Sequence, residues 1–289
     1  MLKTRVGDDL WLVHQPDHGR LAGYLAAHWG GNGFDRPGGY APFPKPDELR
    51  QAVVQAVAEH DNGWWEWESD PPIDPADGWP LGLLDVARQR PDDSLRRWRL
   101  GVPRFADAHP YAALLISLHA THLYADPDDA LRHPLFGGAD RAKALNSAAE
   151  PFRSFLLEQA EVQGGLLRRL NADPNWALAC QPEHLYPHLR LLQVLDAVSL
   201  FLSFGAQRPL RIADVPRGSW QDRCQIELCP TDDRTIECHP FPFDADPLDV
   251  FLPARIVPGG ARASTELPLT RLHALPLQCV RFTLVSARK

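Results

Sequence analysis

No basic tract of five or more residues occurs in this 289-residue chain, which carries a formal charge of -7 and a pI near 5.9. The electrostatic footprint that nucleic acid or an anionic membrane surface requires is missing, so neither is expected as a partner. No window approaches the roughly 18 uninterrupted apolar residues of a membrane-spanning helix, and Met1 to Val6 lacks the apolar core of a signal peptide. The chain is therefore read as cytoplasmic. Its five cysteines include no CxxC pair, which excludes a zinc ribbon and argues against a disulfide framework. Internal repeats and long low-complexity linkers are also lacking.

What is present is ample core material: 44% of residues are hydrophobic, enough for the chain to fold as one unit. Leu2 to Val6 and Leu10 to Val13, joined by Gly7-Asp8-Asp9, predict a hairpin. Pro16 then suits the first turn of a helix whose core stripe is His18, Leu21, Ala22 and Leu25. Glycine and proline make Gly30 to Pro46 a loop. A second helix starts near Pro46-Asp47, with Val53, Val54 and Val57 inward and Asn62-Gly63 as its stop, so that His60-Asp61 occupy its last turn.

Helices are further predicted from Pro110 to Leu123, from about Asn146 to Leu170 with a break at Gly164-Gly165, and from about Glu183 to Phe204. Beyond Gly205 the pattern alternates, and Gln225 to Leu228, Thr235 to Pro242, Leu248 to Val257 and Gln278 to Ser286 read as antiparallel strands. The expected architecture is α+β and mainly α. It is a single domain over 1–289, with a helical core at 14–204 and a β-rich portion at 1–13 and 205–289 packed on it.

Imidazoles and carboxylates aimed from separate helices into one apolar core are costly unless a cation gathers them. His18, the pair His60-Asp61, His119 and Asp196 have that character, and Asp196 has apolar neighbours on every side. His122, three residues after His119, is either an additional ligand or a helix-end residue in solvent. Trp64, Trp65 and Trp67 form an aromatic wall that either grips a ligand or plugs the core. Asp92-Asp93 and Asp126 to Asp129 are read as solvated acidic clusters, and Ser117 and Ser199 as no part of a catalytic triad, because i and i+2 positions on a helix do not face each other.

With 12 histidines, about one His-Asp dipeptide is expected by chance, so order and context matter more than the pair. In order, His18, His60-Asp61, His119 and Asp196 resemble the H…HD…H…D pattern of the HD-domain superfamily of metal-dependent phosphohydrolases and di-iron oxygenases. More closely, Gln15-Pro-Asp-His18, His60-Asp-Asn-Gly-Trp64, Ser117-Leu-His-Ala120 and Leu192 to Leu200 resemble an uncharacterised bacterial family, over nearly the whole chain. The resemblance implies an HD-like helical core, with His18, His60, Asp61 and Asp196 around one divalent transition metal. It also implies a second ion at His119, bridged by Asp61 and reached by His122. Iron, manganese or zinc suit these ligands.

The expected activity is hydrolysis of a small phosphorylated molecule, with Asp61 catalytic and with Trp64, Trp65, Trp67 and Arg20 at the substrate pocket. Many HD enzymes follow the pair with x-Gly-Lys or x-Gly-Arg, where the basic residue helps hold phosphate, whereas this chain has Asn62-Gly63-Trp64. Arg20 and Arg153 are the substitutes considered for that cation. Oxygen-dependent oxidation at a di-iron pair and a non-catalytic metal or ligand site stand as alternatives.

Overall fold

The computed structural model describes residues 1–124, 133–134, 150–261 and 272–287. Among these residues the helices are α1 (Gln15–Ala27), α2 (Pro46–Ala58), α3 (Trp65–Ser69), α4 (Leu83–Gln89), α5 (Pro91–Ala106), α6 (Pro110–His122), α7 (Glu150–Asn171), α8 (Pro174–Ala179) and α9 (Pro182–Ser203). The strands are β1 (Leu2–Val6), β2 (Asp9–Val13), β3 (Leu210–Pro216), β4 (Arg223–Pro230), β5 (Thr235–His239), β6 (Leu248–Val257) and β7 (Leu277–Ser286). Asp126 to Asp129 and the predicted helix start at Asn146 lie outside the described residues.

Helix α9 is the central element. It opens with Pro182, whose missing N–H costs nothing at a helix start, and every residue from Pro187 to Ser203 is buried. It packs against α1, α2 and α6 on one side and against β3 on the other. Helix α6 is likewise buried from Tyr111 to Ser117, as expected of a sequence that is apolar nearly all round. Helices α1 and α2 approach so closely that a Cβ on Gly23 would lie 2.4 Å from Cβ of Ala58. A side chain at that position would force the two helices apart.

The expectation of a mainly α protein, with an HD-like helical core and an antiparallel sheet from the N-terminal hairpin and the C-terminal strands, is overturned. One large, curled sheet of seven strands, in the order β1-β2-β6-β7-β5-β4-β3, packs with the helices, so an all-helical core does not describe the fold. The sheet is mixed: β7 inserts between β5 and β6 and runs parallel to β5, Thr235 opposite Thr283 and Cys238 opposite Ser286. The N-terminal hairpin joins it through β2 against β6, Leu10 opposite Val257. Leu248, Val250, Leu252 and Ala254 of β6, with Val280, Phe282 and Leu284 of β7, face the helices in one continuous core.

Smaller differences have local causes. Strand β3 goes unpredicted because a bulge between Ile212 and Val215 breaks its alternation. Asp214 takes φ +56° there, and Arg190 of α9 holds the bulge by donating to the carbonyls of Ala213 and Asp214 at 2.7 and 3.3 Å. Helix α7 runs through Gly164-Gly165 without a break. Trp64 to Trp67, the aromatic wall of the sequence, lie in a 3₁₀ turn and in α3. Asp92 and Asp93 lie in the first turn of α5, where acidic side chains complement the helix dipole.

Candidate functional site

Five of the residues singled out in the sequence converge. His18 projects from the buried face of α1, His119 from the last turn of α6 and Asp196 from the middle of α9, and all are buried. His60 and Asp61 stand just past α2, which ends at Ala58, rather than in its last turn. The residues after the pair fix that turn. Asn62 Nδ2 donates to the carbonyls of Glu59 and Gly101 at 2.8 and 3.2 Å, and Arg104 donates to the Asn62 carbonyl at 2.7 Å. Gly63 lies against α5 so tightly that a Cβ would sit 2.0 Å from the Arg97 carbonyl oxygen. Asn62 and Gly63 thus fix the turn that carries His60, and Trp64 stands at the position of the motif's basic residue.

Hydrogen bonding assigns the imidazole tautomers. His60 Nδ1 lies 2.8 Å from the Val57 carbonyl and must donate to it, which turns Nε2 toward Asp196 and Asp61. Ser199 Oγ donates to the Asp196 carbonyl at 2.9 Å, so His18 Nδ1, 2.9 Å from the same oxygen, is the donor in that contact. His18 Nε2 then points its lone pair at Asp61 Oδ2, 2.8 Å away. Two acceptors at that distance require a proton or a cation between them. Fixing one ring nitrogen on a second partner, with the other turned inward, is how metal-ligating histidines are commonly held.

Asp196 has histidines at both oxygens. Oδ1 lies 3.3 Å from His60 Nε2 and 3.8 Å from His18 Nδ1, while Oδ2 lies 3.1 Å from His133 Nε2 and 3.5 Å from His119 Nε2. Among the described residues, His18, His60 and Asp196 each offer a donor atom within 4.8 Å of the others. Bonds of about 2.0–2.2 Å to a tetrahedral ion put neighbouring donors roughly 3.4 Å apart, so modest side-chain adjustment closes the set. Asp61 Oδ2 adds a carboxylate 3.8 Å from His60 Nε2. His60 Nε2, Asp196 Oδ1 and His119 Nδ1 are buried without a hydrogen-bond partner among the described residues, an expensive state for polar atoms.

The charges reinforce one another. Burial opposes protonation of His60, but Asp196 and Asp61 outweigh it and raise its pKa to about 9. For Asp196, burial favours the acid, yet His60 and His133 hold the carboxyl well below its ordinary range. At His119, burial and the neighbouring rings of His60, His133 and His122 overcome Asp196 and keep the imidazole neutral, the form that binds metal.

A cavity of about 50 Å³ opens on this cluster, with His18, Asp61, His119 and Asp196 on its polar side and Trp64 and Trp98 on the other. It has room for an ion and a water or two. Of the other sequence-selected residues, Trp64 lines the cavity, whereas Trp67 stands behind it with its ring centroid 6.2 Å from that of Trp64. Trp65 is 44% exposed, and Arg20 lies over it at 4.7 Å while pairing with Asp17 at 3.3 Å. Neither is at the cavity. His122 is half-buried in the last turn of α6 and outside the three-residue ligand set. Ser199 is fully buried with its hydroxyl committed to a carbonyl, and Ser117 donates to Gln159 Oε1 at 2.8 Å, so neither serves as a nucleophile.

Two residues at the site escaped the sequence reading. His133 sits between Arg132 and Pro134 in a segment without helical periodicity, and no local signal sets it apart from the other histidines. Arg97 of α5 is 4% exposed and lies between two indoles, 4.2 Å from the Trp64 ring and 3.8 Å from the Trp67 ring. The periodicity of Leu95, Trp98 and Val102 would have located its helix, but Pro103 inside α5 obscures the pattern.

The family model described as "Protein of unknown function (DUF3891)" matches residues 1–259, and the chain belongs to that family. Comparison with curated proteins and with solved structures returned no match. All five cysteines are free, and among the described residues no helix is long and apolar enough to cross a membrane.

Proposed function

We propose that this chain is a cytoplasmic metal-dependent hydrolase of a small phosphorylated molecule. The observation that carries the proposal is Asp196, a buried carboxylate with His18 and His60 beside one oxygen and His119 and His133 beside the other. In this reading His18, His60 and Asp196 hold one iron, manganese or zinc ion, with Asp61 as a further ligand. His119 and His133, beside the other oxygen of Asp196, would be the residues to hold a second ion, with Asp196 rather than Asp61 between the two sets. The ligand order also resembles that of the HD superfamily, and this similarity enters as motif order alone.

A divalent ion in such a site lowers the pKa of a bound water toward neutrality and offsets charge growing on a phosphoryl group. The protein's own groups supply the rest. Val57 and Ser199 fix the ring orientations of His60 and His18, and Trp64 and Trp98 limit water beside the cluster. Asp61 lines the cavity, and its second carboxylate oxygen would be the group to accept a proton from water there.

The test is metal per chain in protein purified without a histidine tag or chelator, followed by hydrolysis of a panel of small phosphate monoesters. Near-stoichiometric metal in the wild type, its loss in His60→Ala and its retention in His14→Ala are expected. His14 faces Glu68 at 2.9 Å instead of the cluster. Equal metal in all three proteins would refute the ligand assignment, and a metal-loaded protein inert toward every ester would refute the reaction. The indole wall favours one second reading, oxygen-dependent oxidation of a small molecule at a di-iron pair, which an iron-specific absorption responding to oxygen would support.

A further inference from the structure

Hydrolysis of a phosphorylated molecule calls for a cation to hold the phosphoryl oxygens. Neither arginine considered from the sequence stands at the cavity: Arg20 is on the surface over Trp65, and Arg153 is exposed and 3.9 Å from Glu150. Arg97 is not among the lining residues either, but it stands directly behind one of them, Trp64. Its guanidinium is buried, its faces are covered by Trp64 and Trp67, and its Nε and Nη1 have no hydrogen-bond partner among the described residues. No ion pair joins it to a carboxylate among those residues.

The surroundings tie Arg97 to the cavity. Trp64, on which it stacks, forms part of the cavity wall, and so do Ser94, one turn earlier on α5, and Trp98, the next residue. Tyr124, also in that wall, lies within electrostatic reach of the guanidinium, as do Asp93, Arg90 and Glu68. Burial lowers the pKa only to about 10, so the group stays charged at neutral pH. A buried cation with unmet donors is unfavourable, and stacking on two indoles leaves the in-plane N–H groups as the ones to be satisfied. An oxyanion meets that need, because guanidinium matches phosphate oxygens in geometry as well as charge.

We propose that Arg97 is the anion-holding residue of this site: its in-plane N–H groups take phosphoryl oxygens of the substrate beside the His/Asp cluster, and Trp64 and Trp67 orient the guanidinium. The assignment builds on the phosphohydrolase reading by naming the residue that recognises the phosphoryl group.

Calorimetric titration with inorganic phosphate tests it on the metal-loaded and the chelator-stripped protein, comparing wild type, Arg97→Lys and Arg97→Gln, with metal per chain measured on each. The expected result is phosphate affinity lower by about 10- to 100-fold in Arg97→Gln and reduced to a smaller extent in Arg97→Lys, which keeps charge but loses the planar fork. Metal content should be unchanged. Should Arg97→Gln fail to fold, Arg97→Lys decides: affinity equal to that of the wild type overturns the proposal, as does a wild type that binds no phosphate in either state. The two readings separate cleanly. A wild type that takes up no metal even on reconstitution but binds phosphate through Arg97 keeps the anion site and sinks the hydrolase, whereas a metal-bearing protein whose phosphate affinity ignores Arg97 does the reverse.

Discussion

Helix α9 carries two buried polar clusters eight residues apart, about 12 Å along the axis, and they are built on opposite terms. At His188 the bonding closes. Gly38 N–H donates to Nε2 at 3.0 Å, so Nδ1 donates to the Tyr111 hydroxyl at 2.9 Å, and that hydroxyl donates to the Ala179 carbonyl at 3.1 Å. Every proton has one destination, and the ring is neutral: burial, then His184, lowers its pKa to about 3. At Asp196 the bonding stays open: imidazoles surround one carboxylate, and His60 Nε2, Asp196 Oδ1 and His119 Nδ1 lack hydrogen-bond partners among the described residues. Both clusters are buried histidine chemistry, and what separates a structural cluster from a candidate site is whether the hydrogen-bond accounting completes without a ligand.

The largest effect that would break this comparison is expected at Asp196. Asp196→Asn keeps the shape but removes the charge facing His18, His60, His119 and His133. It should abolish metal binding and cost about 3–5 kcal/mol, the usual penalty for removing one partner of a buried ion pair. Elemental analysis and denaturant unfolding would read the two effects. His188→Gln should leave metal per chain at the wild-type value, and metal loss there would show that the clusters are one system.

Acid sensitivity sharpens the contrast next. His188 has a pKa of about 3 in the folded protein against an ordinary 6.5. Between those values the unfolded chain binds more protons, and stability falls as pH drops from about 6.5 toward 3. A shift of that size corresponds to several kcal/mol as an upper figure. The mechanism is concrete: a proton on Nε2 would confront the Gly38 N–H. Unfolding midpoints from pH 7 to pH 4 should fall less steeply in His188→Gln than in the wild type, and parallel slopes would remove His188 as the cause.

The same contrast explains what was legible in the sequence. His18, His60, His119 and Asp196 stand out because each carries a polar group on a helical stripe of Leu, Val and Ala, which is a local signal. His133 lies on no such stripe, and Arg97 looks like one of several charges in Arg96-Arg97-Trp98-Arg99, so their burial emerges only from tertiary packing. In the sheet, β6 and β7 were readable from alternation, but the insertion of β7 parallel to β5 depends on contacts distant in sequence. The size of the sheet, and with it the balance between helix and strand, was lost for that reason.

The smallest predicted effect concerns Trp64 and Trp65, adjacent residues that the sequence presents as one wall. Trp64 is 5% exposed, lines the cavity and lies under Arg97, whereas Trp65 is 44% exposed beneath Arg20. Truncating a buried tryptophan costs about 3–5 kcal/mol, and an exposed cation–π contact is worth about 0.5–1 kcal/mol. Trp65→Ala should therefore lower stability by no more than about 1 kcal/mol and leave both metal content and phosphate affinity at wild-type values. Trp64→Ala should weaken phosphate binding as well as stability, since it removes one of the two surfaces that hold the Arg97 guanidinium. If Trp65→Ala weakened phosphate binding as much as Trp64→Ala, recognition would extend to the surface where Arg20 stands, and the division between buried and exposed indoles would fail.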